Sequence, residues 1–184
     1  LTDQRVILVP GQVESDASIR YGAGDIKTNL DLLKASRSEN PDAFILYKPH
    51  PDVVAGLRSE GKSESAAVHF CDEVVVDISM GSLLKEVDEV HVMTSLTGFE
   101  ALLRGKKVVA YGMPFYAGWG LTTDLAGQGG DEPPCFARRT RRLTLDELVA
   151  GTLLRYPLYW DHQHKGATTC EAVLQNIADE RTRL

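Results

Sequence analysis

Three polar clusters carry the residue types that could do chemistry. They are Gly11-Gln12-Val13-Glu14-Ser15-Asp16, Lys48-Pro49-His50-Pro51-Asp52 and Thr94-Ser95-Leu96-Thr97-Gly98-Phe99-Glu100. Each follows a short apolar run that reads as a β-strand, at 6–9, 44–47 and 89–93. Each therefore falls at the carboxyl end of a strand, the edge at which open parallel α/β sheets bind ligands. Carboxylates, an imidazole and small hydroxyls gathered on one edge suit a sugar nucleotide.

Taken singly, every candidate has a functional and a structural reading. Asp16 sits in a glycine-containing loop, where a carboxylate acts as nucleophile or base, or simply caps the loop. His50 lies between two prolines that pin its backbone. It suits contact with a phosphate or leaving group, or a hydrogen-bonded structural role. Lys48 beside it adds positive charge for a phosphate, or is an ordinary exposed lysine. Ser95 and Thr97 occupy a strand-to-helix turn, whose free N–H groups and helix dipole favour an anion; the same hydroxyls also serve as helix caps. Glu100, one turn further on, can bind ribose hydroxyls as acidic residues do in dinucleotide folds, or complement the helix dipole.

The elements that must position these residues alternate. Strands are expected at 6–9, 44–47, 73–76, 89–93 and 108–111. Helices are expected at 26–38, with Asp25 as N-cap, at 80–86, and from Ser95 or Thr97 to Arg104, ended by Gly105. The stretches 21–24 and 59–65 read as loop. This alternation is the signature of βαβ units and a mainly parallel sheet, so the fold class is a three-layer, Rossmann-like α/β domain. Residues 112–134 form a long Gly- and Pro-rich loop whose Phe115, Tyr116 and Trp119 weigh against disorder. Thr144 and Glu147 form a capping box that opens a helix with an apolar stripe of Leu145, Leu148, Val149 and Leu153. A last helix is expected over about 170–181. The whole chain, 1–184, reads as one domain with C-terminal helices from about 144.

Composition narrows the function. With 26 acidic and 20 basic residues, and a formal net charge of -6, the chain is not a general nucleic-acid binder. Arg138, Arg139, Arg141 and Arg142 cluster before the Thr144 helix, either as a solvated loop or as a contact for a polyanion or partner domain. Cys71, Cys135 and Cys170 are odd in number and have neither disulfide nor zinc spacing, which fits a reducing cytoplasm. No apolar run approaches the ~18 residues of a membrane span, and no signal peptide is visible. Beginning at Leu1 and entering a strand almost at once, the chain reads as part of a longer protein.

In their order, four segments resemble the KpsC/LipB family of capsule polysaccharide proteins: 9–19 (Val-Pro-Gly-Gln-Val-Glu-Ser-Asp-Ala-Ser-Ile), 47–52 (Tyr-Lys-Pro-His-Pro-Asp), 94–105 (Thr-Ser-Leu-Thr-Gly-Phe-Glu-Ala-Leu-Leu-Arg-Gly) and 112–122 (Gly-Met-Pro-Phe-Tyr-Ala-Gly-Trp-Gly-Leu-Thr). The resemblance spans roughly residues 5–165. It implies a retaining β-Kdo glycosyltransferase that uses CMP-β-Kdo to build a Kdo linker on a lyso-phosphatidylglycerol terminus. It also implies a GT-B arrangement of which this chain is the donor-binding half, an N-terminal acceptor-side domain of the same protein being absent. The Gln-x-x-x-Asp motif, here Gln12 and Asp16, implies a catalytic pair with Asp16 as nucleophile. Lys48, His50, Ser95, Thr97 and Glu100 are then the donor-binding elements. No cofactor is implied beyond the donor substrate, and with no Asp-x-Asp present no divalent metal need be invoked. The expected location is the cytoplasm, with the peripheral contact at the inner face of the cytoplasmic membrane that the resemblance implies. Two other classes stay open: a different nucleotide-sugar epimerase or phosphatase-like α/β enzyme with His50 as acid/base, and a non-catalytic nucleotide-binding domain.

Overall fold

A computed structural model describes residues 4–54, 64–127, 133–162 and 164–183. They fall into two compact units, Leu1–Arg142 and Leu143–Leu184. One domain was the expectation from sequence; the division comes close to the expected onset of the C-terminal helices.

In the first unit the chain runs β1 (Val6–Pro10), α1 (Ala17–Gly22), α2 (Asn29–Glu39), β2 (Phe44–Lys48), α3 (Pro51–Val54), α4 (Glu64–Ala67), β3 (Glu73–Val74), α5 (Met80–Glu86), β4 (Glu89–Val92), α6 (Leu96–Leu102), β5 (Lys107–Ala110) and β6 (Thr123–Asp124). The strands form one sheet of order β3-β2-β1-β4-β5-β6, and every pairing is parallel. The Rossmann-like α/β class expected from the strand–helix alternation is therefore what the chain adopts. The order turns back between β1 and β4, and at such a switch point the strand-end loops part to leave a crevice.

Strands buried on both faces commonly read as continuous apolar runs, and β1 does so, whereas the equally buried β4 alternates Val90 and Val92 with the polar Glu89 and His91. Ile7 and Val9 face a core that includes Ile19, Leu32, Leu33, Ile45, Tyr47, Met93, Val109 and Tyr111. Period-2 alternation turns the fully buried Leu8, Val90 and Val92 to the other face, where α5 meets β1 and α6 meets β4 and β5. His91, on the α2 side of β4, is buried with its Nε2 3.0 Å from Glu89 Oε1 and its Nδ1 3.0 Å from Ser36 Oγ. Arg5 bonds Glu89 from outside at 3.2 Å. This polar cluster lies at the amino end of the sheet, away from the strand-end clusters.

Several local expectations are corrected. The second helix begins at Asn29, not at 26. Thr28 rather than Asp25 caps it, its Oγ1 accepting the Asp31 N–H at 3.1 Å. The segment 21–24, expected as loop, is half helical because α1 ends at Gly22. The third strand has two residues instead of four, and a two-residue strand, β6, interrupts the 112–134 loop. Of the 59–65 loop, 59–63 lie outside the described residues, and α4 begins at Glu64. Gly105 does follow α6, at φ 69°, a conformation that favours glycine.

The 112–120 loop packs instead of trailing. Tyr116 is fully buried, Phe115 stands 5.1 Å from Phe99 of α6 by ring centroids, and Arg139 donates to the carbonyls of Pro114 (2.8 Å) and Ala117 (2.6 Å). Arg139 also lies over the Trp119 ring at 5.6 Å. At least this member of the arginine cluster is thus spent on holding the loop.

The second unit holds α7 (Leu145–Val149), a π-helical continuation over Ala150–Arg155, an antiparallel hairpin of β7 (Tyr159–Asp161) and β8 (Gly166–Thr168), and α8 (Cys170–Arg183). The Thr144–Glu147 capping box is present as expected. Of the expected stripe only Leu148 is fully buried, and the hairpin has no forerunner in the sequence reading.

Candidate functional site

A cleft of about 760 Å³ opens at the carboxyl edge of the sheet. Its lining comes from the segments after β1, β2 and β4 and from the start of α5. All seven residues singled out from sequence line it: Gln12, Asp16, Lys48, His50, Ser95, Thr97 and Glu100. They descend from three strands that are adjacent in the sheet, so parallel pairing alone delivers them to one edge.

Asp16 is exposed and caps α1, with Oδ1 accepting the Ser18 N–H at 2.8 Å. The structural reading of this residue is therefore true as a statement of geometry, and the same carboxylate lines the cleft. Gln12 is buried, 8% exposed. Its Nε2 donates to Thr94 Oγ1 at 2.9 Å, and its Oε1 accepts the Thr94 N–H at 3.0 Å.

Lys48 is 9% exposed and ends β2, its Nζ donating to the Val76 carbonyl at 2.8 Å. Among the described lining residues it is the one lysine or arginine, against the carboxylates of Asp16, Asp52 and Glu100. His50 precedes α3, with Pro51 at the first helical position, where a missing N–H costs nothing. The Asp52 N–H donates to His50 Nδ1 at 3.1 Å, so in the neutral ring the proton sits on Nε2, which is left to donate.

Ser95 caps α6: its Oγ accepts the Thr97 N–H at 3.2 Å and donates to Thr97 Oγ1 at 3.1 Å. Its carbonyl accepts from the Tyr116 hydroxyl. Burial holds that phenol well above its ordinary pKa, so it remains a donor across the working pH range. Tyr116 also sets a steric requirement, because a Cβ at Gly98 would stand 2.9 Å from its Cε2. Glu100 follows one turn into α6, half-buried at the cleft edge.

Sequence reasoning missed one wall. Ile78, Ser79 and Met80 line the cleft after β3, where Ser79 caps α5. The signal was available, since Val74-Val75-Val76-Asp77-Ile78-Ser79 is another apolar run ending in polar residues. Thr94 and Asn29 were also missed as supports; a threonine or asparagine in a loop carries no distinguishing pattern. Among the described residues, no group of three or more His, Cys, Asp or Glu could hold a metal ion, and no helix is long and apolar enough to cross a membrane.

Comparison with known proteins places this geometry. The chain is 53% identical over 180 residues to the capsule polysaccharide modification protein LipA of Neisseria meningitidis serogroup B, a match covering 98% of this chain and 24% of LipA. It is 42% identical to the lipopolysaccharide-processing protein LpsZ of Rhizobium meliloti, across 98% of this chain and 39% of LpsZ. Among solved structures, Thermosulfurimonas dismutans KpsC, described as a β-Kdo 2,7 transferase, aligns with a TM-score of 0.84 at 47% identity, over 98% of this chain and 56% of that one. The KpsC β-Kdo 2,4 transferase of the same organism aligns with a TM-score of 0.75 at 33% identity, over 96% and 52%. The chain thus spans about a quarter of LipA's length and about half of each solved KpsC chain. The description of capsule polysaccharide biosynthesis proteins matches residues 2–159, a stretch that holds the entire sheet and every strand-end cluster, and this chain belongs to that family.

Proposed function

We propose that the strand-end cleft binds CMP-β-Kdo and that this chain is the donor-binding half of a GT-B, retaining β-Kdo transferase acting in capsule lipid-linker synthesis. The observation that carries the reading is the convergence of a carboxylate, an imidazole, a buried ammonium and two hydroxyls on one cleft. The 47% identity to a protein named as a β-Kdo transferase supports the sugar.

The chemistry follows from the donor. Kdo carries a carboxylate beside its anomeric carbon, and CMP leaves with a phosphate. Asp16 attacks the anomeric carbon on the face opposite CMP: the carbon–aspartate bond forms, the carbon–phosphate oxygen bond breaks, and the electron pair leaves on CMP. The acceptor hydroxyl then displaces Asp16, its proton passing to a base, and two inversions give net retention. Lys48, His50 Nε2–H and the Ser95 and Thr97 hydroxyls offset the phosphate charge as it develops. Glu100 accepts from ribose hydroxyls. Protein groups supply this charge stabilisation, with no cofactor beyond the donor.

The acceptor in this reading is a lyso-phosphatidylglycerol-linked glycan, held with the help of an acceptor-side domain of the same protein. The reaction then takes place in the cytoplasm, at the inner face of the cytoplasmic membrane. Calorimetry with CMP, CMP-Kdo and UDP tests the donor. CMP and CMP-Kdo are expected to bind at least about tenfold more tightly than UDP, a difference of about 1.4 kcal/mol. Equal or tighter binding of UDP overturns the assignment.

A further inference from the structure

Gln12 sits at the centre of a hydrogen-bond chain that joins three separate segments. Its side chain holds Thr94 at two points, Nε2 to Thr94 Oγ1 (2.9 Å) and Thr94 N–H to Oε1 (3.0 Å), across 82 residues of sequence. Its main chain is held at two more points by Asn29, the first residue of α2: Gln12 N–H donates to Asn29 Oδ1 and Asn29 Nδ2 donates to the Gln12 carbonyl, both at 2.9 Å. Glu14 completes the frame, its Oε1 accepting the Asn29 N–H at 2.8 Å. Gln12 is 8% exposed and Asn29 5%, so these bonds are made away from bulk water, where leaving a partner unpaired is costly.

The placement matters more than the number of bonds. Gln12 leaves β1 and Thr94 leaves β4, the two neighbours between which the strand order reverses. The loop that Asn29 and Glu14 grip ends at Asp16. The turn that Gln12 grips continues directly into Ser95 and Thr97. The bond chain therefore spans the crevice mouth and sets the offset between its two walls. One amide N–H and the amide oxygen of Gln12 are engaged by Thr94, so its side chain is oriented by the opposite wall of the cleft that it lines.

We infer that Gln12, gripped by Asn29 and closing on Thr94, is a positioning residue that holds the Asp16 wall and the Ser95–Thr97 wall in register for in-line displacement. The inference rests on the reading of the cleft as a donor site, and adds to it the group that fixes the nucleophile-to-leaving-group geometry. Misplacing reacting groups by about 1 Å costs up to about a hundredfold in rate. Each wall keeps its own contacts to the donor when the link is cut, so ground-state binding suffers less than the rate.

The test uses Gln12→Met, which keeps the length and removes the amide's donor and acceptor together, with Thr94→Val as a milder cut and Thr94→Ser as its conservative counterpart. Site-resolved amide hydrogen exchange is read first and needs no donor. In Gln12→Met the Thr94 N–H is expected to exchange at least about tenfold faster while β1 and β4 amides keep their protection. Transfer from CMP-Kdo is read second: kcat is expected to fall about 10- to 100-fold with KM for the donor changed less than about threefold. Thr94→Ser is expected to recover most of what Thr94→Val loses. Unchanged Thr94 exchange overturns the inference, as does a lowered melting temperature with kcat intact, which is the signature of a merely structural residue. If Gln12→Met does not fold, Thr94→Val and Thr94→Ser decide by the kcat and KM readout alone, because the Thr94 N–H keeps its bond to Gln12 Oε1 in both. If the unmutated protein binds CMP-Kdo no more tightly than UDP, the donor reading falls, and the exchange result still decides whether Gln12 ties the two walls together.

Discussion

Replacing Asp16 by asparagine and by alanine separates the two jobs its carboxylate holds. As N-cap of α1 it accepts the Ser18 N–H at 2.8 Å. Losing a cap to alanine costs about 0.5–2 kcal/mol, typically about 1, whereas asparagine caps as well as aspartate. Asn also gives up the carboxylate charge at a helix start, worth about 0.3 kcal/mol at an exposed site. For a unit of this size 1 kcal/mol moves Tm by about 2–4 °C. Asp16→Asn is thus expected to melt within about 1 °C of the unmutated protein and Asp16→Ala about 2–4 °C below it. On the chemical axis the two should coincide, because neither an amide nor a methyl attacks an anomeric carbon. Both are expected to abolish Kdo transfer and the Kdo adduct, while CMP affinity stays within about threefold. The assays are scanning calorimetry for the cap, calorimetric titration for CMP, and intact-protein mass spectrometry after CMP-Kdo, with peptide mapping of the adduct to Asp16. Transfer by Asp16→Asn at near wild-type rate would leave only the cap and refute the nucleophile. Equal destabilisation by Asn and Ala would refute the separation of the two jobs.

Three further outcomes test other parts of the molecule. Ser95→Ala should weaken CMP binding by about 1.5 kcal/mol, roughly tenfold, the scale of one hydrogen bond to a charged group; an unchanged dissociation constant moves the phosphate elsewhere. Gly98→Ala drives a methyl group into the buried Tyr116 ring that bonds the Ser95 carbonyl, so urea unfolding should show a loss of about 1–3 kcal/mol, and an unchanged midpoint contradicts the packing. The hydrogen bond from His91, opposed by burial and aided by the His91 and Arg5 charges, holds the Glu89 carboxyl below its ordinary pKa of 4.5. Its contribution is then fully present above 4.5 and lost as pH falls through the lower folded value, so Glu89→Gln should flatten the acid side of the stability–pH curve; equal acid slopes for both proteins argue against it.

The sequence made the sheet and the site legible for one shared reason. The first two strands are β-branched or aromatic runs that end at a proline, at Pro10 and just before Pro49, and β4 keeps Val90 and Val92 between polar residues. The punctuation marks the carboxyl edge, and the polar residues beyond it are the cleft lining. Elements with little apolar surface escaped. In α1 only Ile19 is buried, so no periodicity reveals a helix. The strand β6 has two residues, too few for an alternation, and it exists because β5 offers it an edge. The start of α2 was misjudged because Ile26, an apolar residue that packs on the core, precedes the cap and mimics a helical position.

A harder limit concerns distance. The sequence shows that Asp16 and Ser95 each follow a strand; nothing local shows that those two strands are neighbours. Adjacency of β1 and β4 is a property of the order β3-β2-β1-β4, set by where the crossover segments pack. Residues that act on substrate are conspicuous because their types are chemically unusual at a strand end. Most residues that fix the spacing between two walls are instead ordinary donors and acceptors of the right reach, since a fully buried charge in their place would be desolvated without compensation. Asn29 and Thr94 meet that description, and for the same physical reason they look like any polar loop, whereas Gln12 stands out only through the Gln-x-x-x-Asp resemblance. The part of a cleft that sets its geometry is thus the part least visible in one sequence, and it becomes visible only when both partners of each bond are seen together.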